Sequence, residues 1–251
     1  MDAFYVSVEL LRHPELHGLP VVVGGTAGRG VVSAASYEAR RYGVYSAMSS
    51  ATARKLCPNA VFLPPDISHY IEVSRHLHTV FESFTPLVEQ ISVDEAFMDV
   101  SGATTLMGDA VSIAWQLRER VMAETKLSCS VGIAPNKFLA KLASEHAKPK
   151  ATPDGIAPGH QVFEVKPGEE LNFLLPLPVQ ALWGVGPATL KKLESIGVRR
   201  VSDLAQLDES VVCAAVGDAH GRHLYALSHG KDNRPVEPER IAKSIGHEET
   251  F

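Results

Sequence analysis

Cysteine is scarce in this chain. There are three, Cys57, Cys129 and Cys213, an odd number with no Cys-x-x-Cys pair. That excludes a disulfide framework and a thiolate zinc site and reads as buried thiols of a cytosolic protein. Long apolar runs are also missing: no stretch approaches the roughly 18 consecutive apolar residues that cross a bilayer, so no membrane partner is expected. The opening MDAFYVSVELL has an acid and no basic lead, which argues against a secretory signal and for the cytoplasm. Positive charge is short as well. Lys and Arg number 24 against 29 Asp and Glu, a formal net charge of -5. Proteins that grip a phosphate backbone are usually basic, so a nucleic-acid reading must rest on local clusters. At 45% hydrophobic and 21% charged residues the composition is that of an ordinary soluble globular protein, and alone it favours a metabolic enzyme. No Walker motif, dinucleotide fingerprint, Ser-His-Asp arrangement or metal-spaced histidine pair is present.

What is there alternates between strand-like and helix-like segments. MDAFYVSVELL reads as a strand running into a helix, and PVVVGG at 20–25 as an apolar strand closed by glycines. VVSAAS is a small-residue strand leading to a helix from near Ser36, with a short helix over 47–57 and a strand in AVFLPPD. Ile71, Val73, His76, Leu77 and Phe81 recur at roughly helical spacing and predict a helix over 67–83. Residues 88–102 alternate, with Ile91, Val93, Glu95 and Phe97 on one face and Ser92, Asp94, Ala96 and Met98 on the other. A helix over 108–125, a strand in LSCSVGIA and a helix in NKFLAKLASEHAK follow. This order fits an α+β fold on a split βαβ, ferredoxin-like sheet. KATPDGIAPGH reads as a linker, and the rest is mainly helical around WGVGPATLKKLESIG.

Few residues can carry chemistry. Asp94 and Glu95 are adjacent acids in an apolar segment, and two carboxylates held together call for a cation. Their oxygens suit Mg²⁺ or Mn²⁺, provided that the strand turns there so that both reach one side. Exposed turn acids are the alternative. Tyr37 and Arg40 share a helix face, and Lys137, Lys141 and Lys148 form a basic edge, either anion-binding or simply solvated. Gly184 and Gly186 permit a tight turn into a helix beginning near Pro187, with Lys191 and Lys192 following. That helix-hairpin-helix pattern can hold a DNA backbone without reading its sequence.

Together these segments resemble the Y-family DNA polymerases, in their DinB or DNA polymerase IV branch. The strings that carry the resemblance are MDAFYVSVE, SYEARRYGV, SVDEAF, SVGIAPNKFLAKLASEHAKP and LWGVGPATLKKLESIGV, with IAKSIGHEETF like the junction into a last domain. The resemblance implies a right-hand polymerase core. Its ferredoxin-like palm takes 1–3 and 67–156, a small fingers insertion 4–66, a helical thumb with the helix-hairpin-helix 157–231, and a linker toward a little finger 232–251. It implies DNA-directed DNA synthesis from deoxynucleoside triphosphates on primer-template DNA, by two Mg²⁺ ions for which Mn²⁺ can substitute, at low fidelity and across damaged bases. A sliding clamp is an expected partner through a region outside this chain.

By position, the resemblance makes Asp94, Glu95 and the Met1 carbonyl metal ligands, with Asp94 and Glu95 catalytic. Tyr37, Arg40 and Lys148 become triphosphate contacts, Tyr5 the steric gate against a ribose 2′-OH, and Val31 and Ser33 part of the roof over the templating pair. Ser92 and Lys141 support the palm site. Gly184, Gly186, Lys191 and Lys192 hold the DNA backbone. The family places a metal-binding aspartate immediately before the position of Met1 and a basic little finger beyond residue 251. The expectation is that this chain lacks both, with Asp2 matching an acid two places after that ligand. A primer-template-binding fragment with little catalysis is therefore the alternative. KPKATPDG is also longer than the family's usual passage from KP to G.

Overall fold

The computed structural model describes residues 1–25 and 30–239. In chain order its elements are α1 (Phe4–Arg12), β1 (Val21–Gly24), β2 (Val32–Ala35), α2 (Tyr37–Arg40), α3 (Ser50–Leu56), β3 (Val61–Leu63), α4 (Ile67–Glu82), β4 (Val88–Gln90), β5 (Ala96–Met98), α5 (Thr104–Met107), α6 (Ala110–Thr125), β6 (Val131–Ile133), α7 (Lys137–Ala147), β7 (Lys150–Thr152), β8 (Gly155–Ala157), β9 (Val162–Glu164), α8 (Glu170–Leu174), α9 (Pro187–Ser195), α10 (Val201–Ala205), α11 (Glu209–Val216) and α12 (Asp218–Ser228). They gather into two units: residues 1–130 and 147–161 with the stretch from Val236, and residues 131–146 with 162–235. The class is α+β. The junction string IAKSIGHEETF lies outside the described residues.

In the first unit β1 is the central strand of three, antiparallel to β2 and parallel to β3. Its valines are fully buried, as a strand covered on both faces requires. Val22, Val32, Ala35, Ala39, Val44, Met48, Ala53 and Cys57 form one apolar cluster. Cys57 is thus a packing residue, and burial pushes its thiol pKa up. Side-chain oxygens start the helices: Ser36 accepts from Ala39 N at 3.1 Å, Ser49 from Thr52 N at 3.2 Å, Asp66 from His69 N at 3.2 Å and Asp109 from Ser112 N at 2.8 Å.

Several local expectations change. Residues 1–3 are not a regular strand: Ala3 has φ 46°, and α1 starts at Phe4. Asp2 N does pair with Ser128 O at 3.1 Å, so the opening still runs beside 128–130. The long helix α4 forms, yet its buried face is Tyr70, Ser74, Leu77 and Val80, while Ile71 is exposed. A polar residue hides that face from the hydrophobic pattern: Ser74 accepts from Gln90 Nε2 at 3.2 Å. The alternating stretch 88–102 is a hairpin, β4 against β5, with residues 91–95 in the turn.

KATPDGIAPGH is not a plain linker. β7 and β8 pair across Pro153 and Asp154, two residues suited to a tight turn. Arg41 Nη2 donates to Pro153 O at 3.1 Å and ties this hairpin to the chain just after α2.

The second unit packs β6 parallel to β9 and surrounds a core that includes Phe138, Leu174, Leu182, Leu193, Leu204 and Leu224. Within 182–198, Leu182, Leu193 and Val198 belong to this core, and fully burying a leucine contributes about 1.5–3 kcal/mol. Trp183, which could be read from the sequence as core, is instead partly exposed and lies beneath the Arg234 guanidinium at 4.9 Å.

Candidate functional site

The acids sit on the β4–β5 turn. Ile91 N and Ser92 N both donate to Glu95 O, at 2.9 and 3.3 Å, which closes the turn. Ser92 Oγ donates to Asp94 Oδ1 at 3.0 Å and holds that carboxylate. A turn frees Asp94 and Glu95 from the strict alternation of a strand. Their side chains keep 26% and 30% exposure, enough to meet a ligand.

Three further residues, Met1, Lys148 and Tyr5, lie close to this turn. Met1 N donates to Asp94 O at 2.8 Å and lies 3.7 Å from Asp94 Oδ2. Lys148 Nζ is 4.0 Å from Glu95 Oε1. Tyr5, in the first turn of α1, has its pKa pushed up by burial and then by the charge of Asp94. Asp2 is buried and accepts from Ser130 Oγ at 2.7 Å, so its carboxylate is already engaged.

The residues that follow Lys148 help to form an open cleft of about 490 Å³, lined by Tyr37, Arg40, Tyr45, Pro149, Lys150 and Thr152 among others. Ser36 caps α2 and so sets where Tyr37 and Arg40 project. The Arg40 guanidinium lies 4.8 Å from the Tyr37 ring centroid while its Nε donates to Ala35 O at 3.0 Å. Of the three expected triphosphate contacts, Tyr37 and Arg40 line this cleft while Lys148 lies just before its Pro149; that β7 would line it too was not expected from the sequence. A Pro-Asp-Gly turn between short β-branched or small segments was the available signal. Sequence reasoning also missed Tyr70, which stacks on Tyr5 with ring centroids 4.3 Å apart and planes 18° apart.

Val31 and Ser33 are both exposed, while Val32 between them is buried, so they present one face of the β2 edge. In the second unit, Gly184 has φ 97° and needs glycine, whereas Gly186 has an ordinary φ of -82° and caps α9. A side chain on Gly186 would meet nothing within 4 Å, so this glycine leaves the start of α9 uncovered. Lys191 and Lys192 are exposed on α9, and Lys141 lies on α7 in the same unit.

For a divalent cation the donors fit in kind: Asp94 and Glu95 offer hard carboxylate oxygens on one turn. Among the described residues no group of three or more His, Cys, Asp and Glu comes together as a metal site.

Comparison with known proteins matches these parts. The impB/mucB/samB family matches residues 1–145, and a family described as DNA polymerase-iota, thumb domain, matches residues 180–232. The chain is 49% identical over 251 residues to DNA polymerase IV of Desulfatibacillum aliphaticivorans, covering 100% of this chain and 61% of that protein. It is 44% identical over 252 residues to DNA polymerase IV of Halorhodospira halophila, covering 100% and 68%. Among solved structures it is similar to an insertion ternary complex of Dbh DNA polymerase, with TM-score 0.82 and 27% identity over 94% of this chain and 67% of that one. DinB from Sulfolobus solfataricus gives TM-score 0.80 and 26% identity over the same shares.

Proposed function

The chain belongs to the impB/mucB/samB family, the Y-family polymerases, and from that membership we propose that the protein carrying it is a DNA-directed, translesion DNA polymerase. The chain spans 61% of the length of the first relative above, so the activity is assigned to the whole protein. The reaction joins a primer 3′-oxygen to the α-phosphorus of a deoxynucleoside triphosphate, with pyrophosphate leaving. The observation that supports this reading is the pairing of Lys148 with Glu95 on the acidic turn, with the next residues, Pro149 and Lys150, lining a cleft together with Tyr37 and Arg40.

Asp94 and Glu95, with the carbonyl of Met1, would hold Mg²⁺ or Mn²⁺. Bound there, such ions would supply Lewis-acid stabilisation of the charge that develops in phosphoryl transfer. The protein's own groups do the rest. Arg40 and Lys148 offset phosphate charge, and the Tyr37 hydroxyl is suited to donate to a phosphate oxygen. Ser92 keeps Asp94 in one orientation. Tyr5 packs where a 2′-hydroxyl would sit, so deoxynucleotides are preferred. The exposed Val31 and Ser33 are small roof residues, and a light roof leaves room for a damaged base at a cost in fidelity. Gly184, Gly186, Lys191 and Lys192 hold the duplex backbone whatever its sequence. A cytoplasmic setting and a sliding clamp as partner complete the reading.

Primer extension on primer-template DNA by the full-length protein, with Mg²⁺ or Mn²⁺, is the test. Template-directed addition of deoxynucleotides is the expected result. Tight DNA binding with no addition under either metal would overturn the polymerase reading and leave a DNA-binding protein.

A further inference from the structure

Behind Tyr5 lies a cross-link that the proposed reaction does not use. Tyr70, whose ring stacks on Tyr5, is 1% exposed, and its hydroxyl donates to Glu9 Oε1 at 2.7 Å. Glu9 is only 4% exposed. It stands four residues after Tyr5 on α1, so one helix face meets both the ring and the hydroxyl of Tyr70. Arg12, on the next turn, is 3.8 Å from the same Glu9 oxygen and 2.9 Å from Asp66 Oδ2. Asp66 also caps α4, its other carboxylate oxygen accepting from His69 N at 3.2 Å. α1 therefore grips the first turns of α4 at three places.

Burying a carboxylate is costly, and a core built only for apolar packing would place leucine at position 9 and phenylalanine at 70. What the polar pair adds is direction. A hydrogen bond to the tip of Tyr70 restricts where its ring lies, and the plane of Tyr70 limits the plane of the ring stacked on it.

We propose that Glu9 is a positioning residue for sugar discrimination, acting through Tyr70 to hold the Tyr5 ring in place. The inference rests on the reading of Tyr5 as the residue that packs against the sugar. Rejecting a single oxygen needs a wall held to within about 0.5 Å. A Tyr5 ring free to tilt yields that space. Glu9 need not touch the nucleotide to set the outcome.

The test is single-nucleotide insertion by the full-length protein, with kcat and KM measured separately for matched deoxy- and ribonucleotides. The variants are Glu9→Ala, Glu9→Gln, Tyr70→Phe, Tyr5→Ala and the pair Tyr5→Ala with Glu9→Ala. Glu9→Ala and Tyr70→Phe are expected to lower the deoxy-to-ribo ratio of kcat/KM by about 3- to 10-fold, mainly through a lower ribonucleotide KM. Glu9→Gln, whose amide oxygen still accepts, is expected to keep the ratio within about 2-fold of the parent. In the Tyr5→Ala background, loss of Glu9 should change the ratio no further. If Tyr5→Ala shifts the ratio while Glu9→Ala and Tyr70→Phe slow both nucleotides equally, the positioning role is overturned and Glu9 is a stability residue. If Tyr5→Ala itself leaves the ratio unchanged, the gate reading falls and this inference with it. Tyr70→Phe keeps the ring and removes the hydroxyl, so it decides the matter should Glu9→Ala fail to fold.

Discussion

Lys148 Nζ lies 4.0 Å from Glu95 Oε1. Lys148 immediately precedes Pro149 and Lys150, which line the cleft opposite Tyr37 and Arg40. Lys148 is thus paired with the acidic turn and adjoins in sequence the segment that lines the cleft. Removing it should act mainly on nucleotide binding. Lys148→Ala is expected to raise the KM for the incoming nucleotide on the order of 10-fold, with a smaller fall in kcat. Steady-state insertion kinetics measure both. A fall in kcat with KM unchanged would count against the triphosphate role.

Asp94 is the acid on which Ser92 and Met1 converge. Asp94→Ala is expected to lower turnover on the order of 100-fold or more while primer-template affinity stays close to the parent. Extension assays beside fluorescence anisotropy separate the two quantities. Turnover surviving near the parent rate would remove Asp94 from the reaction.

Lys191 and Lys192 are exposed on α9, downstream of the uncovered Gly186 start. Replacing both with alanine should weaken DNA binding alike on unrelated sequences. The slope of log K against log salt should fall by about 2. A loss confined to certain sequences points instead to base contacts.

Asp66 shows how pH should act on stability. The His69 amide first, and then Arg12, hold its pKa below the usual carboxylate value. Asp109 is held down in the same way by Ser112, and Asp203 by the amides of Arg200 and Arg199. A carboxyl whose folded pKa is depressed contributes stability above its unfolded value of 3.8. That contribution fades as pH falls below 3.8 through the folded value. Thermal unfolding from pH 6 down to about pH 2.5 should therefore show Tm dropping at the acid end. Asp66→Asn, which keeps an accepting oxygen but does not titrate, should make that drop shallower. An unchanged acid limb would mean that this cap does not contribute to it.

How much of this was legible beforehand differs from element to element. The valine run of β1, the helix start near Ser36 and the length of α6 depend on residues within a few positions of each other, and simple patterns found them. α4 was found as a helix but with its face misplaced, because Ser74 is buried through a hydrogen bond rather than by being apolar. The β7–β8 hairpin reads as a linker in the sequence because Pro and Gly mark a turn and a loop equally well. The Asp94–Glu95 pair was found by residue type, though its usefulness hung on a turn that the alternating pattern concealed.

Local chemistry therefore determined the helices, their caps, the buried strands and the identity of the candidate groups, since propensity and amphipathic spacing act over a few residues. Only the tertiary structure decided which groups meet. Tyr70 reaches Glu9 across a sequence separation of 61, and Ser130 reaches Asp2 across 128. Such contacts follow from how buried faces pack, and a residue such as Tyr70 carries no mark of its partner until packing puts Tyr5 against its ring.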